Sequence, residues 1–317
     1  MLYYRYRAKR YKNNKQSAFN ESSINEVSMQ VHSFLHQDTE TYTHVLADSA
    51  QQLCAIIDPV LDFDPKSGRT STDSIDEVLE FVREQNWQLV YIIETHAHAD
   101  HMSAAIHVKD ELGGQLVIGK YITEVQKIFK QVYNFDTSFR TDASQFDILT
   151  DEATVLTLGD IAITVMHVPG HTPADMAYVA TDSDKSVVFV GDTIFAPDVG
   201  TARCDFPGGD AKTLYHSIQK LLSLPEETMI YLCHDYPSQG RQHCPSTTVA
   251  AQKRGNIHVK DGINEAEFVQ MRERRDATLA MPRLIIPSVQ VNIDAGQLPK
   301  PESNGTRYLK VPINALG

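Results

Sequence analysis

Cysteine is scarce in this chain: Cys54, Cys204, Cys233 and Cys244 are the only four in 317 residues. They are too few and too scattered for a disulfide framework, and a reducing cytoplasm suits them best. Long apolar runs are also missing. None approaches the roughly 20 residues that a bilayer-crossing helix needs, so a membrane is not an expected partner. Nor is there an excess of base: 29 Lys and Arg stand against 41 Asp and Glu, for a net charge of −12. A phosphate-binding face normally shows itself as a basic excess, so nucleic acid is not an expected partner either. The remaining composition, 42% apolar and 22% charged, describes an ordinary globular protein with ample material for a core.

Base is concentrated only at the start. Arg5, Arg7, Lys9, Arg10, Lys12 and Lys15 precede the first acid, Glu21. No apolar segment of signal-peptide type follows them. Residues 1–28 therefore read as a disordered or non-native leader with Met29 opening the functional chain. The bases leave mitochondrial targeting open.

What the chain has in abundance is histidine at the ends of apolar runs. Leu89-Val90-Tyr91-Ile92-Ile93 leads into Thr95-His96-Ala97-His98-Ala99-Asp100-His101, three imidazoles and a carboxylate in seven residues. Such spacing lets two histidines leave an extended stretch on one side while Asp100 and His101 turn toward a second position. The donor types suit zinc, iron or manganese. The theme recurs downstream. Ile161 to Val168 leads to Pro169-Gly170-His171, Ser186 to Val190 to Gly191-Asp192, and Met229 to Cys233 to His234-Asp235-Tyr236. Strand ends are rigid points from which loops hold a metal.

Between these pieces, Val31 to Leu35, Tyr42 to Leu46 and Cys54 to Ile57 read as strands, and Asp62 to Arg69 as a loop. Ser74-Ile75-Asp76-Glu77 reads as a capping box opening a helix, with Ile75, Val78, Leu79 and Val82 at helical spacing. Helices are expected over Ser103 to Leu112, around Ile122 to Tyr133, and over the charged stretch Glu265 to Thr278. Gln239 to Gly262 reads as polar loop. The tail, with Pro282, Pro287, Pro299, Pro301 and Pro312, reads as an extended arm on the domain or on a neighbouring subunit, which leaves a homodimer open. A β-meander followed by mixed β and α elements predicts an α+β sandwich of two sheets with helices outside. The expected divisions are 1–28, 29–240 and 241–317.

Set in order, Thr95 to His101, Pro169 to Pro173, Gly191 to Phe195 and Cys233 to Tyr236 resemble the metallo-β-lactamase superfamily, whose fold is an αββα sandwich. His171 lies 75 residues after His96, Asp192 a further 21, and His234 a further 42. Asp198 to Phe206, Ala211 to Ile218 and the tail stretch Pro282 to Asn292 resemble its persulfide dioxygenase and β-lactamase-like hydrolase branch. That resemblance implies one Fe(II) held by His96, His171 and Asp192. It makes His98, Asp100, His101 and His234 an outer shell or a second metal site, with Asp100 and Tyr236 as catalytic candidates. It also implies a substrate, glutathione persulfide or a similar small persulfide, whose terminal sulfur takes both atoms of O2 before hydrolysis releases sulfite and glutathione. Arg203 would contact the substrate as an anion partner and Tyr236 by a hydrogen bond. Where relatives of the mitochondrial enzyme carry Gly-Arg-Thr-Asp-Phe, this chain has Ala202-Arg203-Cys204-Asp205-Phe206. Cys204 and Cys233 are then either packed small residues or sulfur acceptors. The rival is a hydrolase of the glyoxalase II type. Two zinc ions would be held by His96, His98, His171 and Asp192, and by Asp100, His101, Asp192 and His234.

Overall fold

The computed structural model describes residues 28–183, 185–238 and 240–315, so the basic leader up to residue 27 lies outside the described residues. Strands β1 (Met29–His36), β2 (Thr41–Asp48) and β3 (Leu53–Ile57) open the fold. A hairpin of β4 (Val60–Asp64) and β5 (Arg69–Ser71) follows, then α1 (Asp73–Glu84), β6 (Gln88–Ile93) and β7 (Met102–Ser103). The first half closes with α2 (Ala105–Leu112), β8 (Gln115–Gly119), α3 (Ile122–Val132) and β9 (Ile148–Thr150). The second half contains β10 (Val155–Leu158), β11 (Ile161–His167), β12 (Met176–Thr181) and β13 (Ser186–Phe189). It continues through α4 (Ala211–Leu222), β14 (Met229–Tyr231), β15 (Ser246–Thr248), α5 (Val249–Gly255), α6 (Glu265–Asp276) and α7 (Ile285–Asn292).

These elements form the αββα sandwich: one six-stranded sheet in the order β1-β2-β3-β6-β8-β9 faces a second in the order β10-β11-β12-β13-β14-β15. Both sheets are mixed, since β3, β6, β8 and β9 pair in parallel, as do β13 and β14. Period-two patterning builds the layers. Along β3, Cys54 and Ile56 face the outer helices while Ala55 and Ile57 face the other sheet. Ile75, Val78, Leu79 and Val82 close the outer layer from α1, and Leu214, Ile218 and Phe268 do so on the other side from α4 and α6.

Several local expectations are corrected. Helix α1 starts at Asp73 with Thr72 as its N-cap, and no side chain caps its backbone. The Ser74 amide and hydroxyl instead donate to Asp62, which competes with a capping box. The stretch Asp62 to Arg69 is largely a hairpin rather than a loop. Within Gln239 to Gly262, read as loop, lie β15 and α5; Thr248 caps α5 by accepting from the Ala251 amide, and Val249 is fully buried. The tail is not extended throughout. Helix α7 occupies Ile285–Asn292, with Pro287 in its first turn, where a missing amide costs nothing. Ile285, Val289, Val291 and Ile293 join the core beneath the first sheet.

His44 ties the two sheets together. From β2 its ring packs 5.5 Å from Phe189 and 5.4 Å from Tyr231, and Nε2 donates to the Leu232 carbonyl at 2.9 Å. The Ser33 hydroxyl lies 2.8 Å from Nδ1. Burial pushes its pKa down to about 4.

Two outcomes follow. The neutral His44 contributes fully above the ordinary histidine pKa, about 6.5. Below it the unfolded chain takes up a proton that the fold refuses, so stability is lost progressively down to about pH 4, by about 3 kcal/mol in all. Urea midpoints of metal-free protein between pH 7 and 5 should therefore fall less in His44→Gln than in wild type. Ile293→Ala, in the Pro-rich tail, should cost about 2–4 kcal/mol by the same measurement, whereas an arm lying loosely on the surface would lose under about 0.5 kcal/mol.

Candidate metal centre

Strands β11, β13 and β14 all run toward one edge of the second sheet, because β11 and β13 are both antiparallel to β12 and β14 is parallel to β13. His171, Asp192 and His234 follow their carboxyl ends, and the loop after β6 of the other sheet brings His96, His98, Asp100 and His101. Gly191 makes the close approach feasible: its φ is +53°, and a Cβ there would stand 2.6 Å from Thr95 Oγ1 and 3.3 Å from His96 Nδ1.

All seven residues predicted as ligands come together. Their atoms form overlapping groups whose members lie within 4.8 Å of one another: His96, His171 and Asp192; His98, Asp100, His101 and His234; and, joining the two, His98, Asp192, Cys233 and His234. Asp192 touches both. Its Oδ2 is 3.7 Å from His171 Nε2 and 4.0 Å from His96 Nε2, and its Oδ1 is 3.3 Å from His234 Nε2. Asp100 Oδ2 lies 3.0 Å from His234 Nε2. Among the described residues ten buried side-chain polar atoms lack a hydrogen-bond partner, and seven belong to this cluster. Buried donors and acceptors are almost always satisfied, so a concentration of orphans in one pocket fits bound cations. Imidazole and carboxylate donors at these positions fit iron, zinc or manganese alike.

Electrostatics favour the ligand form of His96, His98 and Asp100, while burial raises Asp192 and, against burial, Asp100 and Asp192 raise His234. Burial, then the neighbouring imidazoles, hold His96 and His98 well below the ordinary value and therefore neutral. Burial alone would raise Asp100, but His234, His101 and His98 hold it well below the usual carboxylate range.

Three residues that pattern reading missed orient the ligands. Asp58, just past β3, accepts from the Thr95 amide at 2.8 Å and hydroxyl at 3.0 Å, and its Oδ1 is 3.0 Å from His98 Nε2. Both ring nitrogens of His98 nonetheless lack a hydrogen bond. Glu94 stands 3.7 Å from the same Nε2, and burial together with Asp58 raises its pKa well above the ordinary value. Both follow apolar runs, as the predicted ligands do, and that repetition was the available signal. Asn292 of α7 had none. Its amide donates to the His98 and His101 carbonyls, each at 2.8 Å, and its oxygen accepts from the Ser103 amide at 2.8 Å.

A cavity of about 360 Å³ opens onto His171, Asp192 and Asp100, with Phe195, Val199 and Phe206 among its walls. Arg203 and Tyr236 both line it. The Arg203 guanidinium is already engaged, donating to both Asp205 oxygens at 2.6 Å and to the Ala280 carbonyl at 2.6 Å. Its own carbonyl accepts from His171 Nδ1 at 2.7 Å, which turns Nε2 toward Asp192. The Tyr236 ring stacks on His234 with centroids 5.6 Å apart. Cys204 and Cys233 are buried, and burial raises both thiols, so each is held as a neutral packed group.

A family model described as the metallo-beta-lactamase superfamily matches residues 46–234. The chain belongs to that superfamily. It is 50% identical to a probable metallo-hydrolase of Burkholderia pseudomallei over 294 residues, covering 91% of this chain and 100% of that one. It is 30% identical to the mitochondrial persulfide dioxygenase ETHE1 of Homo sapiens over 198 residues, 62% of this chain and 64% of that protein. Among solved structures it resembles ETHE1 from Myxococcus xanthus, with a TM-score of 0.67 and 28% identity, over 85% of this chain and 100% of that one. The protein is thus a metal-binding enzyme of the metallo-β-lactamase superfamily. No described helix is long and apolar enough to cross a membrane.

Because Asn292 fastens the superfamily's metal loop from behind, Asn292→Ala should weaken metal binding about ten-fold, read by chelator competition, with the far-UV circular dichroism of the loaded protein unchanged.

Proposed function

We propose that this enzyme is an Fe(II)-dependent persulfide dioxygenase that converts glutathione persulfide, O2 and water to glutathione, sulfite and two protons in a reducing compartment. The observation that carries the reading is the grouping of donors. His96, His171 and Asp192 stand within 4.8 Å of one another as two imidazoles and one carboxylate, while His98 groups with Asp100, His101 and His234 and again with Asp192, Cys233 and His234. Two histidines and a carboxylate leave other coordination positions open and characterise non-haem Fe(II) oxygenases. The likeness to ETHE1 proteins in sequence and structure supports the same choice. Ferrous iron held by these three residues would supply the change of oxidation state that oxidising a sulfane sulfur with O2 requires and that zinc lacks.

The chain's own side chains would do the rest. Phe195, Val199 and Phe206 keep water from the reacting sulfur, and His171 is held rigid by the Arg203 carbonyl. Burial, with Asp100 and Asp192 nearby, holds the Tyr236 phenol well above its ordinary value, so it stays a hydrogen-bond donor to an anionic sulfur. Asp100, ionised and lining the same cavity, would accept a hydrogen bond from the water that completes sulfite and so orient it.

A second reading has its own support. The second group is complete, and Asp192 reaches toward both groups with different oxygens, as a dizinc thioester hydrolase of the glyoxalase II type needs. The Burkholderia relative's name points the same way.

Protein purified without oxygen and loaded separately with Fe(II) and Zn(II) separates the two readings. Only the iron form should consume O2 with glutathione persulfide, releasing one sulfite per O2, and Asp192→Ala should lower that rate at least about 1000-fold. No uptake by a fully loaded iron form, with thioester hydrolysis by the zinc form, would overturn the dioxygenase in favour of the hydrolase.

A further inference from the structure

A line of short contacts runs from the outer hairpin to two of the candidate ligands. On β4 the Asp62 carboxylate, 22% exposed, accepts from the Ser74 hydroxyl and amide, and its Oδ1 stands 3.1 Å from His36 Nε2. His36, the last residue of β1, places Nδ1 2.7 Å from Thr39 Oγ1. Thr39 Oγ1 is 2.8 Å from Thr41 Oγ1, which lies 3.2 Å from His234 Nδ1 and 3.4 Å from His101 Nδ1. Thr41 and both rings are fully buried, and the far nitrogens of the two rings, each Nε2, sit in the metal centre without a hydrogen bond.

These contacts fix where the hydrogens go. A carboxylate has none to give, so His36 Nε2 donates to Asp62. Burial lowers the His36 pKa, with His101 adding to it and Asp62 and Asp38 opposing, so the ring is neutral and Nδ1 accepts. Thr39 therefore donates its single hydrogen to His36. Thr41 donates its own to Thr39, whose carbonyl, the other acceptor in reach, is more distant at 3.4 Å. The Thr41 oxygen is then an acceptor toward both imidazoles, which requires their hydrogens on Nδ1 and turns both Nε2 lone pairs inward. His101 has a further acceptor on that side, Asp100 Oδ1 at 3.5 Å; the Nδ1 hydrogen of His234 is directed by Thr41. Which nitrogen of a histidine is free for a metal is set by the hydrogen bond of the other. We propose that Asp62 and His36 are positioning residues for the second ligand group, holding the hydrogen of His234 on Nδ1 through Thr39 and Thr41 so that Nε2 is presented to a metal. The inference stands apart from both readings of the reaction, since it concerns only how a ring is presented.

Asp62→Asn removes no heavy atom but puts an amide N–H opposite His36 Nε2, which reverses every donor along the line and leaves Thr41 donating to His234 Nδ1. Metal-stripped full chain titrated with Zn(II) against a chelator tests this, the second-group zinc being the one lost in His101→Ala. Asp62→Asn should weaken that zinc about ten-fold and leave the zinc at His96, His171 and Asp192 unchanged. Thr39→Val, which keeps the shape without the hydroxyl, should do the same, and Thr39→Ser should bind as wild type does. In spectra of the zinc-loaded chain carrying 15N-histidine, the His234 Nδ1 hydrogen should resonate downfield in wild type and in Thr39→Ser, and move upfield in Asp62→Asn. Wild-type affinity in Asp62→Asn, an unmoved resonance, equal weakening of both zincs, or a Thr39→Ser chain as weak as Thr39→Val would each overturn the inference. So would a chain that takes one zinc only.

Discussion

Imidazole nitrogens and carboxylate oxygens gathered out of water, with their lone pairs aimed at one another, cost free energy until a cation stands among them. In this protein seven such atoms meet at the open edge of two packed sheets. The arrangement persists because each candidate ligand follows a rigid strand end, and the strands themselves are held by three apolar layers. Metal binding and the stability of the loop Thr95 to His101 are therefore linked: whatever the cation contributes to the cluster it also contributes to the fold.

Behind the ligands lies a set of partners that decides how each ring is presented. Asp58 and Glu94 stand against one nitrogen of His98, the Arg203 carbonyl holds Nδ1 of His171, and Thr41 lies 3.2 Å from Nδ1 of His234. Asn292 joins the backbone of the metal loop to a helix almost two hundred residues later in the chain. The tail is thus part of the centre's support, which explains why Ile285, Val289 and Val291 are buried in an otherwise polar, proline-rich stretch.

Charge on the cavity wall is divided in a way that residue counting does not reveal. Asp205 pairs with Arg203 and Asp276 with Arg272, and each pairing converts an arginine into a rigid wall element. The overall excess of acid in the chain therefore does not describe the site, because electrostatic interaction there depends on which charges are compensated at close range.

From the sequence by itself came the sandwich architecture, the seven donors and their attachment to apolar strand ends, because strand patterning and ligand spacing are local properties. Asp58 and Glu94 follow the same pattern, but a carboxylate after an apolar run does not by itself show which group it will face. Helix α5 was hidden by polar residues around one buried valine, and α7 by its prolines, because burial by distant elements outweighs weak local propensity. The overlapping groups that the donors form and the bonds of Asn292 were decided only by tertiary structure. Each is a distance between groups far apart in the chain, and composition and spacing carry no information about such distances until the two sheets have packed.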